Sequence, residues 1–489
     1  EHTVQDGRVV EPQKLLEIDG EYDVIVAGGG IAGVGAGIAA ARAGCKTLVI
    51  ERESALGGLA TLGLVNIPMD FLHGIGKEMF EKLEAVQGVW HRNSDPEKHK
   101  LVMDRMMTAS GCNVLFHTHI VDAIVANGEI RGVVVESKAG RKAVLAKRVI
   151  DCSGDADAAA FAGCGFDMGR PGDGLVQACS LEFRLGGVDW DTYNDSELKA
   201  NDPRWYTLLE KCIADGEVPP IENHLNWITH VPGRPEHQKQ DEVSICICHS
   251  RNCHPLDNHD LTRMYIEGRE QVDTMWKWIR SRIPGFENCW VIDTGVLLGV
   301  RDSRRVHGAY TLTTYDIASR AKFDDVVAIS YRAYDIHNPD ALGNLKWAPV
   351  ELNGEQVYMV VGGGGYIPHQ DMPPGGVVVD YLGRPQDHPE HGVQPEPRHY
   401  DVPYRSLVPT DVDNLLVAGR CLSSDFPAQS ATRLVMCCNA MGEAAGTATA
   451  LSLKHDIPPR KVDVAELQKT LVANGCDLGQ DKREIPNLA

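Results

Sequence analysis

Residues 22–51 read YDVIVAGGGIAGVGAGIAAARAGCKTLVIE. The apolar, β-branched run at 22–27 predicts a buried parallel strand, and the small-residue stretch after the glycines predicts a tightly packed helix. Between them, Gly28-x-Gly30-x-x-Gly33 supplies a tight turn, a bare backbone that a pyrophosphate can approach, and close packing of helix on strand. A dinucleotide site is the expected function of this stretch, and a glycine-rich turn that binds nothing is the alternative.

A second apolar run ends in Glu51, about 20 residues beyond the glycines. A carboxylate at this place accepts hydrogen bonds from the ribose of a dinucleotide. Arg52 follows it directly, so the sequence also allows binding of a phosphorylated ribose. The same fingerprint serves NAD and FAD, and the choice between them needs other segments.

Two features favour FAD. Gly57-Gly58 provides a second bare backbone segment close to Glu51. Residues 119–137 hold two alternating β-prone runs joined by Asn127-Gly128, a strong hairpin signal, and a third strand and a return strand at 148–151 follow. A β-meander inserted in this position is the layout of flavoprotein nucleotide domains.

Composition narrows the class of protein. At 489 residues the chain is expected to form two domains. Its 48 Lys and Arg against 68 Asp and Glu give a net charge of −20, which repels nucleic acid. No apolar run has the roughly 18 residues of a membrane span, so no membrane partner is expected. The fourteen cysteines are scattered, and a reducing cytoplasm is the expected location.

Three separated segments resemble the FAD-dependent oxidoreductases of bacteria, within the two-dinucleotide-binding-motif flavoprotein superfamily with its glutathione-reductase-type FAD domain. They are distantly similar to the fumarate reductase and succinate dehydrogenase flavoproteins. The segments are the glycine-rich stretch with "VIERESALGGLAT", "VIDCSGDADAAAFAG" at 149–163, and "NLLVAGRCLSSDFPAQSATRLVMCCNAMGEAAGTATA" at 414–450. A fourth, at 295–317, is typical of this branch.

The resemblance implies an α/β fold, with a Rossmann-like FAD-binding domain of parallel sheet and β-meander insertion plus an inserted α+β substrate or cap domain. The flavin domain would comprise 20–180 and 405–455, the inserted domain 181–404, and a C-terminal extension 456–489. Within the insertion, 261–283 has a helical pattern, and the turn-rich stretch 372–399 is either an active-site lid or a surface excursion.

The resemblance also implies cofactor contacts. Gly28, Gly30 and Gly33 would hold the pyrophosphate, and Glu51 the ribose. Gly442 and the helix start after it would face the flavin pyrimidine, where a helix dipole stabilises negative charge. The remaining implied contacts are Ile31, Ala32, Arg52, Gly57, Gly58, Leu59, Ala60, Thr61, Gly154, Asp155, Gly419, Arg420 and Arg433.

Covalent attachment of the FAD is not expected. Relatives such as the fumarate reductases can carry a His just after the double glycine, where this chain has Leu59. His73 lies downstream and is the alternative anchor.

Five residues are candidates for chemistry. Arg301 and Arg304 either anchor a substrate carboxylate or form structural salt bridges that hold the cap to the flavin domain. Asp335 and His337, two apart, suit a carboxylate-oriented imidazole, and a polar loop is the alternative. Arg433 is expected near the flavin or a bound anion.

Two further segments give weaker evidence about function. Tyr404 and Arg405 are read as residues of the junction between cap and flavin domain. Residues 359–370 look like a second dinucleotide site but lack the third glycine, and Pro368 stops the helix that should follow.

No metal site is expected. Cys246, Cys248 and Cys253 invite an iron–sulfur or zinc site, yet "VSICIC" alternates like a strand and a fourth ligand is missing. The two histidines of residues 388–391 are too few for one.

The expected function is a FAD-dependent dehydrogenase or reductase that transfers a hydride between a small organic substrate and flavin N5. Arg301 or Arg304 would position the substrate and His337 would carry the proton. The alternative is an electron-transfer subunit that relays electrons to a partner protein or iron–sulfur centre. An RNA-modifying flavoprotein is disfavoured by the charge, and a homo-oligomer stays open.

Overall fold

The computed structural model describes residues 3–66, 73–232, 241–332, 334–345, 347–352, 355–360, 378–379 and 399–488. In chain order its strands are β1 (Thr3–Gln5), β2 (Arg8–Val10), β3 (Ile18–Ala27), β4 (Thr47–Ile50), β5 (Val89–Trp90), β6 (Asn93–Ser94), β7 (Asn113–Leu115), β8 (His119–Ala126), β9 (Glu129–Ser137), β10 (Gly140–Asp151), β11 (Phe166–Met168), β12 (Cys179–Ser180), β13 (Phe183–Gly186), β14 (Trp227–His230), β15 (Val243–Cys246), β16 (His249–Ser250), β17 (Trp290–Thr294), β18 (Arg304–Val306), β19 (Val326–Ser330), β20 (Trp347–Leu352), β21 (Glu355–Val360), β22 (Val378–Val379), β23 (Tyr400–Pro403) and β24 (Leu415–Val417).

The helices follow the same numbering along the chain. They are α1 (Ile31–Arg42), α2 (Gly74–Ala85), α3 (Pro96–Ser110), α4 (Asp157–Phe161), α5 (Trp190–Asn194), α6 (Glu197–Asn201), α7 (Tyr206–Ala214), α8 (Asn258–Arg282), α9 (Thr314–Ala318), α10 (Phe426–Thr432), α11 (Val435–Lys454) and α12 (Val464–Ala473).

The central sheet is built on β3, whose residues 24–27 are fully buried. β7, β4, β3, β10 and β24 lie side by side in parallel. β9 pairs antiparallel with the first part of β10, and β8 pairs with β9. The predicted Rossmann-like α/β fold with a β-meander insertion is confirmed.

The meander differs from its prediction in one respect. Asn127 and Gly128 have φ angles of 56° and 77°, the positive values that a two-residue hairpin turn requires. The expected third strand and separate return strand are instead one strand, the 12-residue β10. One strand takes both roles because its first part pairs with β9 and its last residues pair with β24. Its pairing with β3 shifts register between Ala143 and Val144.

α1 and α11 cover one face of the sheet in backbone contact. A Cβ at Gly442 would lie 2.0 Å from the Ala32 carbonyl oxygen, and one at Gly446 would lie 2.4 Å from that of Ala36. The helix starts at Val435, so Gly442 is inside α11 and not before its start as predicted. Its absent side chain sets the distance between the two helices.

The inserted region has its own core. β14, β15, β13 and β17 form an antiparallel sheet in that order. Its apolar face packs with α8 around fully buried Phe183, Ile245 and Phe286. The helix predicted at 261–283 is confirmed as α8 at 258–282.

The predicted domain boundaries stay a prediction. Val327 of β19, Val402 of β23 and Leu467 of α12 belong to the same apolar cluster as Val34 of α1. This packing favours a smaller cap, because parts of the inserted region and of the C-terminal extension fill the flavin-domain core. Parts of the segments singled out in the sequence lie outside the described residues. These are 361–370, 372–377 and 380–398, the last of which includes 388–391.

No helix in the described ranges combines the length and apolarity that crossing a bilayer requires.

Gly442→Ala tests the contact between α1 and α11. The new Cβ would overlap the Ala32 carbonyl oxygen, whereas Ala for Gly in a helix by itself stabilises by about 1 kcal/mol. Overpacking at backbone outweighs that gain, and we expect a net loss of about 1–3 kcal/mol, a lower Tm by calorimetry and weaker FAD retention. Lys454→Ala, at the exposed end of the same helix, is the control. An unchanged Tm for Gly442→Ala would show that the two helices can separate freely.

Candidate functional site

The glycine turn between β3 and α1 is shaped by contacts that exclude side chains. Gly28 has φ +94°, and a Cβ there would lie 2.7 Å from the Cys152 carbonyl oxygen. A Cβ at Gly33 would lie 1.9 Å from the Gly28 carbonyl oxygen. At Gly30, by contrast, an added Cβ meets open space. The turn is therefore pressed against the sheet on one side and leaves bare backbone facing a cavity on the other, as a pyrophosphate requires.

The second glycine pair lies against the first. Gly57 and Gly58 have φ angles of +98° and +54°, and the Gly57 N–H donates to the Gly29 carbonyl oxygen at 2.8 Å. Both values are in the left-handed region that glycine tolerates best. The pair thus extends the bare backbone surface from the nucleotide turn to Leu59.

Glu51 connects the two segments. Its Oε2 accepts from the Gly29 N–H at 2.6 Å and its Oε1 from the Glu53 N–H at 2.8 Å. The buried carboxylate therefore stands at the end of β4 beside the glycine turn. This position agrees with a role in ribose binding, which stays a prediction.

A cavity of about 920 Å³, including the part open to solvent, lies over these segments. The predicted cofactor residues that line it are Gly28, Gly30, Ile31, Ala32, Glu51, Arg52, Gly57, Gly58, Leu59, Ala60, Gly154, Asp155, Gly419, Arg420 and Arg433.

Three predicted residues do not line the cavity. Gly33 packs on Gly28, and Gly442 packs on α1. The buried hydroxyl of Thr61 donates to the Leu56 carbonyl oxygen at 2.6 Å. Each of the three lies behind the cavity wall, and its contact with the cofactor stays a prediction.

Several lining residues were missed. Val435 and Cys438 open α11, and Leu297, Leu298 and Val300 come from the inserted region. The Val296 and Leu297 N–H groups both donate to the Leu62 carbonyl oxygen, which brings their segment across the 57–63 stretch. The segment 295–317 is typical of the family, but none of its residue types indicated that it lines the cofactor cavity. The other missed lining residues are Cys152, Ser153 and Ala418.

An ion pair at the cavity joins Asp155 to Arg420. The Asp155 Oδ1 accepts from Arg420 Nη2 at 2.7 Å and from the Ser303 hydroxyl at 2.7 Å. Burial raises the pKa of Asp155, but the Arg420 charge and the Ser303 hydrogen bond outweigh burial and lower it overall. The carboxylate is ionised and fixes the Arg420 guanidinium in the wall.

The two arginines proposed as substrate anchors differ. Arg301 is buried, with Nη1 donating to the Ala178 carbonyl oxygen at 2.8 Å and Nη2 lying 3.6 Å from the Cys246 sulfur. The Arg304 Nη1 donates to Asp157 Oδ1 at 3.0 Å and to the Asp155 carbonyl oxygen at 2.8 Å. Arg304 therefore fits the alternative of a structural salt bridge between the inserted region and the sheet.

Asp335, His337 and Arg433 are brought together. Arg433 Nη2 donates to the Asp335 carbonyl oxygen at 2.8 Å and to its Oδ2 at 3.1 Å. The Asp335 Oδ1 lies 3.4 Å from His337 Nε2. The side chain of Asp335 is 41% exposed, whereas those of Arg433 and His337 are 12% and 4% exposed. Asp335 is therefore the most exposed side chain of the three.

Electrostatics set the charge states of Asp335 and His337. Burial lowers the pKa of His337 to about 3, and the Arg301 charge adds to the effect. Burial alone would raise the pKa of Asp335, but His337 and the positive charges of Arg433 and Arg301 hold it well below its ordinary value. At neutral pH the pair is a carboxylate beside a neutral imidazole.

A further titratable group, Glu182, was missed. It is buried, its Oε1 accepts from the Ser180 hydroxyl at 2.6 Å, and burial raises its pKa to about 7 against the opposing charge of Arg301. A lone Glu in a strand-like sequence gives no signal of this environment.

The cysteines show no metal site. Cys246, Cys248 and Cys253 are buried with free thiols. The part of the chain that the structure describes contains no group of three His, Cys, Asp or Glu able to hold a metal ion.

The two junction residues have structural partners. The Tyr404 hydroxyl donates to the Pro459 carbonyl oxygen at 2.8 Å. The Arg405 guanidinium pairs with Asp325 at 2.9 Å. Both residues therefore tie neighbouring segments together.

Asp155→Asn and Asp157→Asn form a matched pair of tests. The pKa of Asp155 is lowered from its ordinary value of 3.8, so its stabilisation is complete at neutral pH and is lost as the pH falls through the lowered pKa. Asp155→Asn leaves Arg420 without its counter-charge, and we expect a loss of about 3 kcal/mol and a Tm drop of about 5 °C at pH 7.

The carboxyl group of Asp157 should respond differently from that of Asp155. Burial, helped by Asp155 and Asp151, raises the pKa of Asp157 to about 6, so its ionisation opposes folding at neutral pH. Asp157→Asn removes that repulsion and should cost less than about 1 kcal/mol. Calorimetry at pH 7 and pH 4 compares the two variants, and equal Tm drops at pH 7 would contradict the assignment.

Comparisons with known proteins identify the family of this chain. The model of the FAD dependent oxidoreductase family matches residues 23–471. The tRNA uridine 5-carboxymethylaminomethyl modification enzyme MnmG of Geobacter sulfurreducens is 31% identical over 147 residues, which are 25% of this chain and 23% of that protein. Thiamine thiazole synthase of Methanococcus aeolicus is 32% identical over 147 residues, 27% of this chain and 55% of that protein.

These matches cover less than two thirds of either relative's length. Among solved structures, a geranylgeranyl bacteriochlorophyll reductase-like protein of Thermoplasma acidophilum is 13% identical with a TM-score of 0.43, over 94% of this chain and 86% of that one. The predicted FAD cofactor and enzyme class are confirmed by the family match. Because that match spans most of the sequence, the protein belongs to the FAD dependent oxidoreductase family.

Proposed function

We propose that the protein transfers a hydride between a small organic substrate and N5 of FAD, with Asp335 and His337 handling the accompanying proton. The observation that carries the proposal is the link from the cavity to this pair. Arg433 lines the cavity and holds Asp335 by two hydrogen bonds, and Asp335 in turn lies against His337.

The residues present fit FAD. Open space at Gly30, the bare Gly57-Gly58 segment and the Arg420 guanidinium together suit a pyrophosphate and the chain beyond it. Bound FAD supplies the hydride acceptor or donor for the substrate. The protein's part is to position the substrate, exclude water and move a proton.

His337 is the proposed proton acceptor. With Nε2–H directed at the Asp335 carboxylate, the neutral ring keeps a lone pair on Nδ1. That Nδ1 is buried and has no hydrogen-bond partner among the described residues. Proton uptake there would form an imidazolium that Asp335 stabilises directly, since its carboxylate is already ionised.

Arg433 and Arg301 suit an anionic substrate group. Both guanidinium groups act electrostatically on Asp335, and Arg433 Nε has no partner within the described residues. A carboxylate placed beside Arg433 would be held by its guanidinium group. We therefore propose small organic acids, or alcohols and amines that carry a carboxylate, as the first substrates to examine.

An anaerobic screen tests the function. Purified holoenzyme is mixed with small hydroxy acids, amino acids and unsaturated acids, and bleaching of the oxidised flavin absorbance is followed, with NADH and NADPH as reductant controls. Unsaturated acids are offered to the pre-reduced enzyme and reoxidation is followed. Reaction with a member of one class is expected. A preparation that contains no FAD would remove the basis of the proposal.

His337→Gln should separate chemistry from cofactor binding. Loss of a positioned base typically costs 10²–10⁴-fold, so we expect at least a 100-fold lower rate of flavin reduction at pH 7 with FAD content unchanged. Arg301→Lys should weaken substrate binding, whereas Arg304→Lys, whose partners are Asp155 and Asp157, should stay within about twofold of wild type. Equal turnover in His337→Gln would exclude the residue from the mechanism.

We further propose that FAD is held without a covalent bond. Leu59 lines the cavity at the place of an attachment His, and His73 is not among the lining residues. Acid precipitation should release all flavin absorbance into the supernatant. Flavin that stays with the precipitated protein and disappears in His73→Ala would reverse this conclusion.

The rival functions have less support. The family match does not favour an electron-transfer subunit. The Cys246 sulfur lies 3.6 Å from Arg301 Nη2 and 3.9 Å from His249 Nε2. The tRNA-modifying activity named for MnmG is not carried over, because the match covers a quarter of this chain and the net charge is −20.

A further inference from the structure

Cys253 differs from every other cysteine of the chain. All fourteen cysteines lie in the described ranges, and all are free thiols. Burial raises the pKa of twelve of them. A hydrogen bond with Cys253 raises the pKa of the thirteenth, Cys179. The pKa of Cys253 alone is lowered, because its hydrogen bonds with Cys179 outweigh burial.

Cys179 is held directly against Cys253 by the pairing of β12 with β16. These strands are antiparallel, and Cys179 stands opposite Ser250. The Cys253 thiol folds back toward this pair and donates to the Ser250 carbonyl oxygen at 2.9 Å. There its sulfur accepts hydrogen bonds from both the thiol and the backbone N–H of Cys179. The two sulfur atoms are therefore neighbours in the reduced protein.

A surface cavity lies beside Cys253, with a volume of about 1,020 Å³ including its solvent-open part. Asn252, Asp260 and Arg263 are among its lining residues. The Arg263 charge helps to lower the pKa of Cys253, and Asp260 opposes this effect. Cys253 is 5% exposed, whereas Cys179 is fully buried. A small molecule therefore reaches Cys253 before Cys179.

We propose that Cys253 and Cys179 are a modification site, at which a hydroperoxide produces a reversible disulfide that restrains the loop 335–345. A cysteine with a lowered pKa, partial access and a second thiol in contact is the usual arrangement of a peroxide-sensitive pair. The site is independent of the proposed hydride transfer.

The reaction balances with hydrogen peroxide as the oxidant. The Cys253 thiolate attacks one peroxide oxygen, the O–O bond breaks, and the departing hydroxide takes up the thiol proton as water. Cys253 is then a sulfenic acid. The Cys179 sulfur attacks the Cys253 sulfur, the S–O bond breaks, and the Cys179 proton leaves with the hydroxide as a second water. Two thiols lose two electrons, one peroxide gains them, and a small dithiol reverses the change by thiol–disulfide exchange.

The disulfide would tie together two supports of the loop 335–345. On one side, Gln177 Oε1 accepts from the His337 N–H at 3.3 Å. On the other side, the Asn252 N–H donates to the Pro339 carbonyl oxygen at 2.9 Å. The two cysteines are two residues and one residue away from these supports in sequence. Oxidation is therefore expected to restrict the motion of the loop.

Peptide mass spectrometry of the oxidised holoenzyme tests the site. Reduced and desalted protein is treated with a small molar excess of hydrogen peroxide at pH 7, quenched with acid, and alkylated in denaturant. We expect two of the fourteen thiols to be lost, a peptide pair that joins Cys179 to Cys253, and recovery of both thiols with dithiothreitol. Absence of this cross-link, or thiol loss spread evenly over the cysteines, would overturn the proposal.

Single variants separate the roles of the two thiols. Cys179→Ser should stop at the sulfenic acid of Cys253, which dimedone traps, and Cys253→Ser should leave Cys179 unmodified. Cys212→Ser is the matched control, because Cys212 is buried in the same apolar cluster and has Trp278 and Glu217 as its hydrogen-bond partners. It should form the cross-link as wild type does. A cross-link from Cys253 to any other cysteine would contradict the assignment, and the wild-type result decides if a variant fails to fold.

Backbone hydrogen exchange tests the restraint on the loop. In the oxidised holoenzyme, amides of 335–345 should exchange about threefold or more slowly than in the reduced form, because opening of the loop is restricted. Peroxide should have the same effect in Cys212→Ser and none in Cys179→Ser. Unchanged exchange in a cross-linked protein would overturn the restraint. Neither experiment needs a substrate, so both remain decisive if no compound bleaches the flavin and the proposed function fails.

Discussion

The structure depends on the absence of a side chain at the first turn of α1. Gly33 lies so close to the Gly28 carbonyl oxygen that no Cβ fits, and this contact fixes the helix over the end of β3. β3, β10 and β24 are parallel neighbours, so the loops after all three emerge at one edge. The glycine turn, Gly154-Asp155 and Gly419-Arg420 meet there for that reason, although they are hundreds of residues apart in sequence.

Charge attaches the inserted region to this edge. Ser303 and Arg304 bind Asp155 and Asp157, and Arg420 binds Asp155 from the other side. Buried guanidinium groups are costly unless they are paired, and here each pairing partner belongs to another segment. The polar contacts therefore determine where the insertion sits, while its own apolar core determines its internal fold.

The sequence predicted the parts of the site that follow local rules. The strand, glycine turn and helix at 22–42 are short-range features, and all but three implied cofactor residues line the cavity. The start of α11 was misplaced because Leu434 precedes the helix without any side-chain cap, so the usual N-terminal signal is missing. Leu297 and Glu182 were missed because their roles arise from long-range packing, which neither periodicity nor motif spacing records.

The paired pKa shifts explain why a neutral imidazole can serve in so acidic a chain. A net charge of −20 would favour protonated histidines at the surface, but Arg301 and burial act on His337 at short range and outweigh it. The same guanidinium lowers the pKa of Asp335. Arg301 thus acts on both groups, together with burial at His337 and with His337 and Arg433 at Asp335, and the result is a carboxylate beside a neutral imidazole. Local geometry, and not overall charge, therefore sets the charge states of Asp335 and His337.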